Sequence, residues 1–165
     1  MKKAFTLVEV LIVVAILGIL AAITLPTFKV NIQRAREAAA KDNLRMLRNA
    51  IELYAVQHHG DPPGYYNGAV ADEGVVMPQL TKCSNPDGLT TNSKIPTGQF
   101  TLGPYLNEYP ENPFNHDNNI YVLFAGEDFP EEAEGHYGYY YSPSMRQIRL
   151  DYPGTDSQGV EYYSY

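Results

Sequence analysis

Lys2-Lys3-Ala4-Phe5-Thr6-Leu7-Val8-Glu9-Val10-Leu11-Ile12-Val13-Val14-Ala15-Ile16-Leu17-Gly18-Ile19-Leu20-Ala21-Ala22-Ile23 is the stretch on which the fold turns. Two lysines lead into an apolar run from Phe5 to Leu25, 21 residues long. A helix of that length covers roughly 30 Å, the thickness of a bilayer's hydrocarbon core. The run is apolar around its whole circumference, which suits lipid or the inside of a bundle better than a half-exposed helix. Glu9 alone interrupts it. A carboxylate near lipid costs about 2.5–3.5 kcal/mol at a helix centre, so Glu9 is a functional candidate that needs a partner. A cut between Ala4 and Phe5 would supply one. The freed Phe5 ammonium would lie one helical turn from Glu9, or within reach of Glu9 on a neighbouring copy. A cleaved secretory signal fits poorly, because the basic leader is only four residues, the run exceeds a usual signal core and the helical pattern continues beyond it.

Pro26 follows the run, removes one backbone donor and crowds the preceding turn, so a helix kink or local melting is expected there before the helix resumes. From Lys29 to His59 the chain is rich in good helix formers. Leu44, Leu47, Ile51 and Tyr54 recur at spacings of three and four and draw one apolar stripe, the core side of a helix packed on a sheet. Gly60-Asp61-Pro62-Pro63 stops the helix.

Charge divides the chain at the same place. Through Gly60 there are eight basic and four acidic residues, a balance of +4; beyond it there are four basic and fifteen acidic, a balance of -11. The acidic part disfavours nucleic acid as a partner, since binding a phosphate backbone needs a basic face. Residues 61–119 hold most of the prolines and no long periodic stretch, which reads as a variable loop region. Ile120–Phe124 is a strand candidate, and Tyr137–Ser142 with Arg146–Leu150 reads as a hairpin turning at Pro143-Ser144. The fold class is therefore α+β, a long N-terminal helix, membrane-spanning in its first half, packed on a small antiparallel sheet with long loops. Its segments are a leader over 1–4, a membrane or filament-core helix over 5–25, an amphipathic continuation over 26–60 and an acidic globular domain over 61–165. So many loops bury little core alone, and the helix stripe is needed for stability.

The N-terminal run resembles the signature of type IV pilins and type II secretion pseudopilins. The resemblance implies that a membrane prepilin peptidase removes the leader after Ala4 and N-methylates Phe5, and that Glu9 guides docking into a growing filament. One departure is Ala4, where the family usually carries glycine. The downstream spacing is similar to the major pseudopilin: Leu102-Gly-Pro-Tyr-Leu-Asn-Glu-Tyr-Pro-Glu-Asn-Pro-Phe114 looks like the family's segment ending in a Pro-x-x-Pro turn before the first strand. Gly154-Thr155-Asp156-Ser157-Gln158-Gly159 looks like its calcium-binding C-terminal loop. The single cysteine, Cys83, leaves the pilin loop disulfide without a partner. Asp151, Asp156, Ser157 and nearby carbonyls could offer several of the six to eight oxygens calcium takes. An ordinary turn with Asp156 capping backbone amides is the competing reading of the same residues.

Fourteen tyrosines and no tryptophan are present, with eight tyrosines from Tyr137 to Tyr165. Tyrosine suits half-buried strands and interfaces; stacking on a sugar or peptide is the sharper alternative. His58, His59, His116 and His136 are not spaced as a zinc site, and no phosphate loop or nucleophile motif is present, so no enzyme is expected. The resemblance implies a structural subunit that polymerises with itself into a secretion pseudopilus or pilus. It further implies a prepilin peptidase, an inner-membrane assembly platform, a cytoplasmic ATPase, other minor pseudopilins and, before assembly, membrane lipid as partners. On that reading the chain is a single-pass inner-membrane protein, N-terminus cytoplasmic and domain periplasmic, that later joins a filament in the periplasm or at the cell surface. The alternative on the same scaffold is a minor pilin or membrane-tethered surface binding module.

Overall fold

A computed structural model describes residues 5–71, 73–124 and 126–165, without the side chains of 23–27 and 73. One helix, α1, runs from Leu7 to Gln57, 51 residues through position 26. The assignment is helical throughout, so the local melting expected around Pro26 does not occur; the proline side chain itself lies outside the described residues. The helix begins on a capping box written Thr6-Leu7-Val8-Glu9. The Glu9 amide donates to Thr6 Oγ1 at 3.3 Å, and the Thr6 amide donates back to Glu9 Oε2 at 2.8 Å. It ends with His59 and Gly60 both at positive φ, and the Gly60 amide donates to the Ala55 carbonyl at 2.9 Å.

The chain forms two compact units, one ending at Arg36 and the other running from Glu37 to Tyr165. In the second unit the stripe Leu44, Leu47, Ile51 and Tyr54 is fully buried, as its spacing requires. Ala40 and Ala50 extend it, and the cluster closes on Val122, Tyr139, Tyr141, Ile148 and Leu150 from the sheet. Each such large side chain contributes about 1.5–3 kcal/mol on burial.

After α1 come a two-residue ladder, β1 (Tyr65–Tyr66) with β2 (Ala69–Val70), and a short helix, α2 (Val76–Thr81). Neither is marked by periodicity in a segment read from sequence as loop. The segment is held by Gln79, which is buried and makes three bonds to backbone: it accepts from the Gly64 amide at 2.7 Å and donates to the Tyr65 and Gly88 carbonyls at 2.7 and 2.9 Å. Such bonds are how loop backbone without a sheet satisfies its polar groups.

The main sheet has the order β3 (Ile120–Val122), β4 (Tyr139–Ser142), β5 (Gln147–Leu150). The β4–β5 hairpin is antiparallel, with Tyr139 opposite Leu150 and Ser142 opposite Gln147. β3 departs from the expected antiparallel arrangement and pairs with β4 in parallel. Segment 123–138 makes this possible, because a parallel neighbour needs a connection of a dozen or more residues to return to the same end of the sheet. Tyr139 and Tyr141 face the helix, while Tyr140 packs beside Tyr121, Tyr137 and Tyr163 with ring centroids 5.6 to 6.3 Å away. Most of the C-terminal tyrosines are thus core material, the plainer of the two sequence readings.

Candidate functional site

Two regions carry the residues singled out by sequence, and each lies within one unit. The first is the start of α1. From Phe5 to Leu20 every large apolar side chain is at least 50% exposed, on all sides of the helix. A contiguous apolar surface of this kind marks a contact with lipid or protein. Among the described residues no helix is long and apolar enough to cross a membrane. The only described acid in the run is Glu9, whose Oε2 accepts both the Thr6 amide and the Thr6 hydroxyl at 2.8 Å. Among the described residues its other carboxylate oxygen has no hydrogen-bond partner, which leaves it open to an incoming cation. Phe5 is exposed, and Ala4 lies outside the described residues.

The second region is the loop containing Gly154–Gly159. The Asp156 carboxylate sits at its centre and is buried, and all four of its lone-pair positions are taken. Oδ1 accepts the Gln158 and Val160 amides at 2.8 and 2.9 Å; Oδ2 accepts the Tyr165 hydroxyl at 2.7 Å and the Lys41 ammonium at 3.3 Å. These donors, the tyrosine hydroxyl first and the Val160 amide next, hold its pKa well below the usual carboxylate range. Ser157 turns to the helix instead, donating its amide and hydroxyl to the two oxygens of Glu37 at 3.1 and 2.9 Å.

Asp151 serves a different segment. Its buried carboxylate accepts the amides of Glu134 and Gly135 at 2.8 Å each and of Tyr137 at 2.9 Å. Asp151, Asp156 and Ser157 therefore do not converge, and among the described residues no group of three or more His, Cys, Asp or Glu side chains could hold a metal ion. The donor set does not fit calcium: the oxygens it would need already accept N–H and O–H groups, and an ammonium lies against the loop's own carboxylate. The reading of Asp156 as a cap on backbone amides is the one the geometry matches.

Sequence reasoning singled out neither Glu37 nor Lys41 as a partner of this loop. It also missed Asn112, which is buried and ties Gly138 and Asp151 together by donating to their carbonyls at 3.1 and 3.3 Å. Glu37 stands three residues before Ala40 and seven before Leu44, on the line of the buried stripe, with the more exposed Lys41 one turn beyond it on the same flank; that spacing is the signal that could have found them. The histidines are dispersed: His58 is buried and stacked on Tyr54, whereas His116 and His136 face Glu111 and Glu134 at the surface. Cys83 is buried and donates to the Gly103 carbonyl.

Residues 1–25 match the prokaryotic N-terminal methylation motif. Over 143 residues the chain is 29% identical to the type II secretion system core protein G of Vibrio cholerae, which covers 81% of this chain and 86% of that protein. The chain is a homologue of the type II secretion pseudopilins and type IV pilins. The Escherichia coli type II secretion system core protein G is 25% identical over 74% of this chain and 71% of its own length. The type IV major pilin protein PilA of Myxococcus xanthus is 50% identical, over 32% of this chain and 24% of its own. No solved structure matches. The two kinds of relative divide this pilin-like chain unequally: identity to the pilin is high and short, while identity to the two secretion proteins is lower and spread over most of the chain.

Proposed function

We propose that this chain is a structural subunit of a type II secretion pseudopilus or type IV pilus-like filament, cut after Ala4 by a prepilin peptidase and assembled through α1. The observation that carries the reading is the all-round exposure of apolar side chains from Phe5 to Leu20, with one carboxylate, Glu9, in the first turn. Water is the wrong solvent for that surface. Lipid covers it before assembly, and neighbouring copies of the same helix cover it afterwards.

In this mechanism the work of the N-terminus is electrostatic. Cutting before Phe5 removes Lys2 and Lys3 and creates an ammonium at the head of the helix. Among apolar helices that ammonium and the Glu9 carboxylate of a neighbour each lack water, and pairing them fixes the axial register of the incoming subunit. Thr6 occupies one oxygen of Glu9 and leaves the other free, so the carboxylate stays oriented while it waits. An inner-membrane platform and a cytoplasmic ATPase supply the push, the N-terminus facing the cytoplasm and the acidic domain the periplasm.

Electron microscopy of sheared or overproduced material, with mass spectrometry of the N-terminus, tests the proposal. The expected result is filaments of a chain that starts at a methylated Phe5. A protein with an intact Met1 and no filaments would sink it.

A further inference from the structure

The loop 154–161 is closed in two steps, first by its own backbone and then by side chains of α1. Its own backbone comes first: the Asp156 amide donates to the Val160 carbonyl at 2.7 Å, the Gly159 amide to the Asp156 carbonyl at 3.0 Å, and Thr155 bridges Glu161. The closed loop is then fastened to α1. Glu37 takes the Ser157 amide and hydroxyl, and the Tyr162 hydroxyl reaches the same carboxylate at 3.4 Å. One helical turn on, the Lys41 ammonium lies 3.3 Å from Asp156 Oδ2 and 4.2 Å from the centre of the Tyr165 ring, and the Tyr165 hydroxyl donates to the same Oδ2. The Lys41 side chain is half exposed and the Asp156 side chain almost wholly buried, so the lysine covers the carboxylate from the solvent side.

We infer that the Lys41 ammonium does in this chain what a divalent cation would do for an acidic loop, compensating the buried Asp156 charge and tying the loop to the helix, so that the domain closes without calcium. A carboxylate offers about four acceptor positions, and those of Asp156 hold two amides, one hydroxyl and one ammonium. A cation entering there would have to displace the ammonium while still short of most of its six to eight oxygens. The inference does not depend on filament assembly, and it concerns the folded subunit alone.

The test uses the full chain in non-ionic detergent. Thermal unfolding is followed in millimolar calcium and in chelator, and hydrogen exchange is read at the Gln158 and Val160 amides. The melting temperature and both exchange rates should be the same in the two solutions. Lys41→Gln should raise exchange at these two amides at least about threefold, the scale of one partly exposed ion pair, while Lys41→Arg keeps the wild-type rates. A wild-type melting temperature that rises with calcium, or a Lys41→Gln variant whose loop exchange is unchanged, would overturn the inference. Because Lys41 is half exposed, its variants test the clamp without threatening the fold.

Discussion

On the proposed function Glu9 has two separable roles, helix cap and assembly charge, and one substitution parts them. The capping box accepts glutamine at this position as readily as glutamate, since an amide oxygen can take the Thr6 amide. Glu9→Gln should therefore leave the first turn of α1 intact, with unchanged helical circular dichroism, and abolish filaments, because the amide cannot pair with the Phe5 ammonium. Filaments at wild-type levels from this variant would remove the charge from the mechanism.

His58 makes a second prediction at the same scale. Its Nδ1 lies 2.8 Å from the Tyr54 carbonyl and its Nε2 2.9 Å from Ser84 Oγ, so the neutral ring is held with Nδ1–H donating and Nε2 accepting. Burial holds its pKa below the ordinary value; the Tyr54 and Asn85 backbone contacts and Asp61 oppose that, and His59 adds to it. The unfolded chain binds the proton more readily than the folded one. The stabilising effect of the neutral ring is thus complete above the unfolded pKa, about 6.5, and is lost as pH falls through the lower folded value. Melting temperature should decline from pH 7.5 to pH 5 in the wild type and more shallowly in His58→Gln. Parallel curves would assign the decline to other groups.

Elements were legible in proportion to how much of their stability is their own periodic burial. The stripe of α1 reads from spacing alone because four core side chains fall on one face. Leu47→Ala should cost about 2–5 kcal/mol and lower the melting temperature by roughly 5–15 °C, measured by calorimetry. The hairpin reads from a turn between two tyrosine- and isoleucine-bearing strands. By contrast α2 and β1–β2 are fixed by Gln79, and the end of β4 by Asn112 and Asn115, single polar residues whose partners are distant in sequence and leave no pattern. The parallel pairing of β3 was hidden for a similar reason, since nothing in three residues states direction. At the entrance to β4 the backbone of Gly138 passes so close to the segment leading into β3 that an added Cβ would stand 2.3 Å from the Asp117 carbonyl. Gly138→Ala should destabilise by at least about 1–3 kcal/mol in urea titration, although the backbone angles of Gly138 permit alanine.

For the whole molecule, the N-terminal signature was legible because its chemistry is local: leader, amine, carboxylate and apolar run all lie within 25 residues. The loop site was not, since the residues that decide it stand on a helix more than a hundred positions away. The division at residue 36 also has a consequence that can be measured. A chain beginning at Glu37 keeps the buried stripe, the sheet and both helix contacts of the loop, and starts its helix with an acid where the macrodipole favours one. It should unfold cooperatively as a detergent-free monomer, while the full chain requires detergent or lipid. Failure of the shorter chain to fold would mean that the first 36 residues contribute to the stability of the domain.

The fastening of the loop to α1 also governs the order of events in time. Lys41 meets Asp156 across 115 residues and Glu37 meets Ser157 across 120. Contacts of such separation close late, because the entropy of a long loop must be overcome before they form. On the proposed function, α1 is available early as the chain crosses the membrane but stays without its clamp until residue 157 arrives. Closure of the loop then marks the point at which the subunit becomes a finished building block.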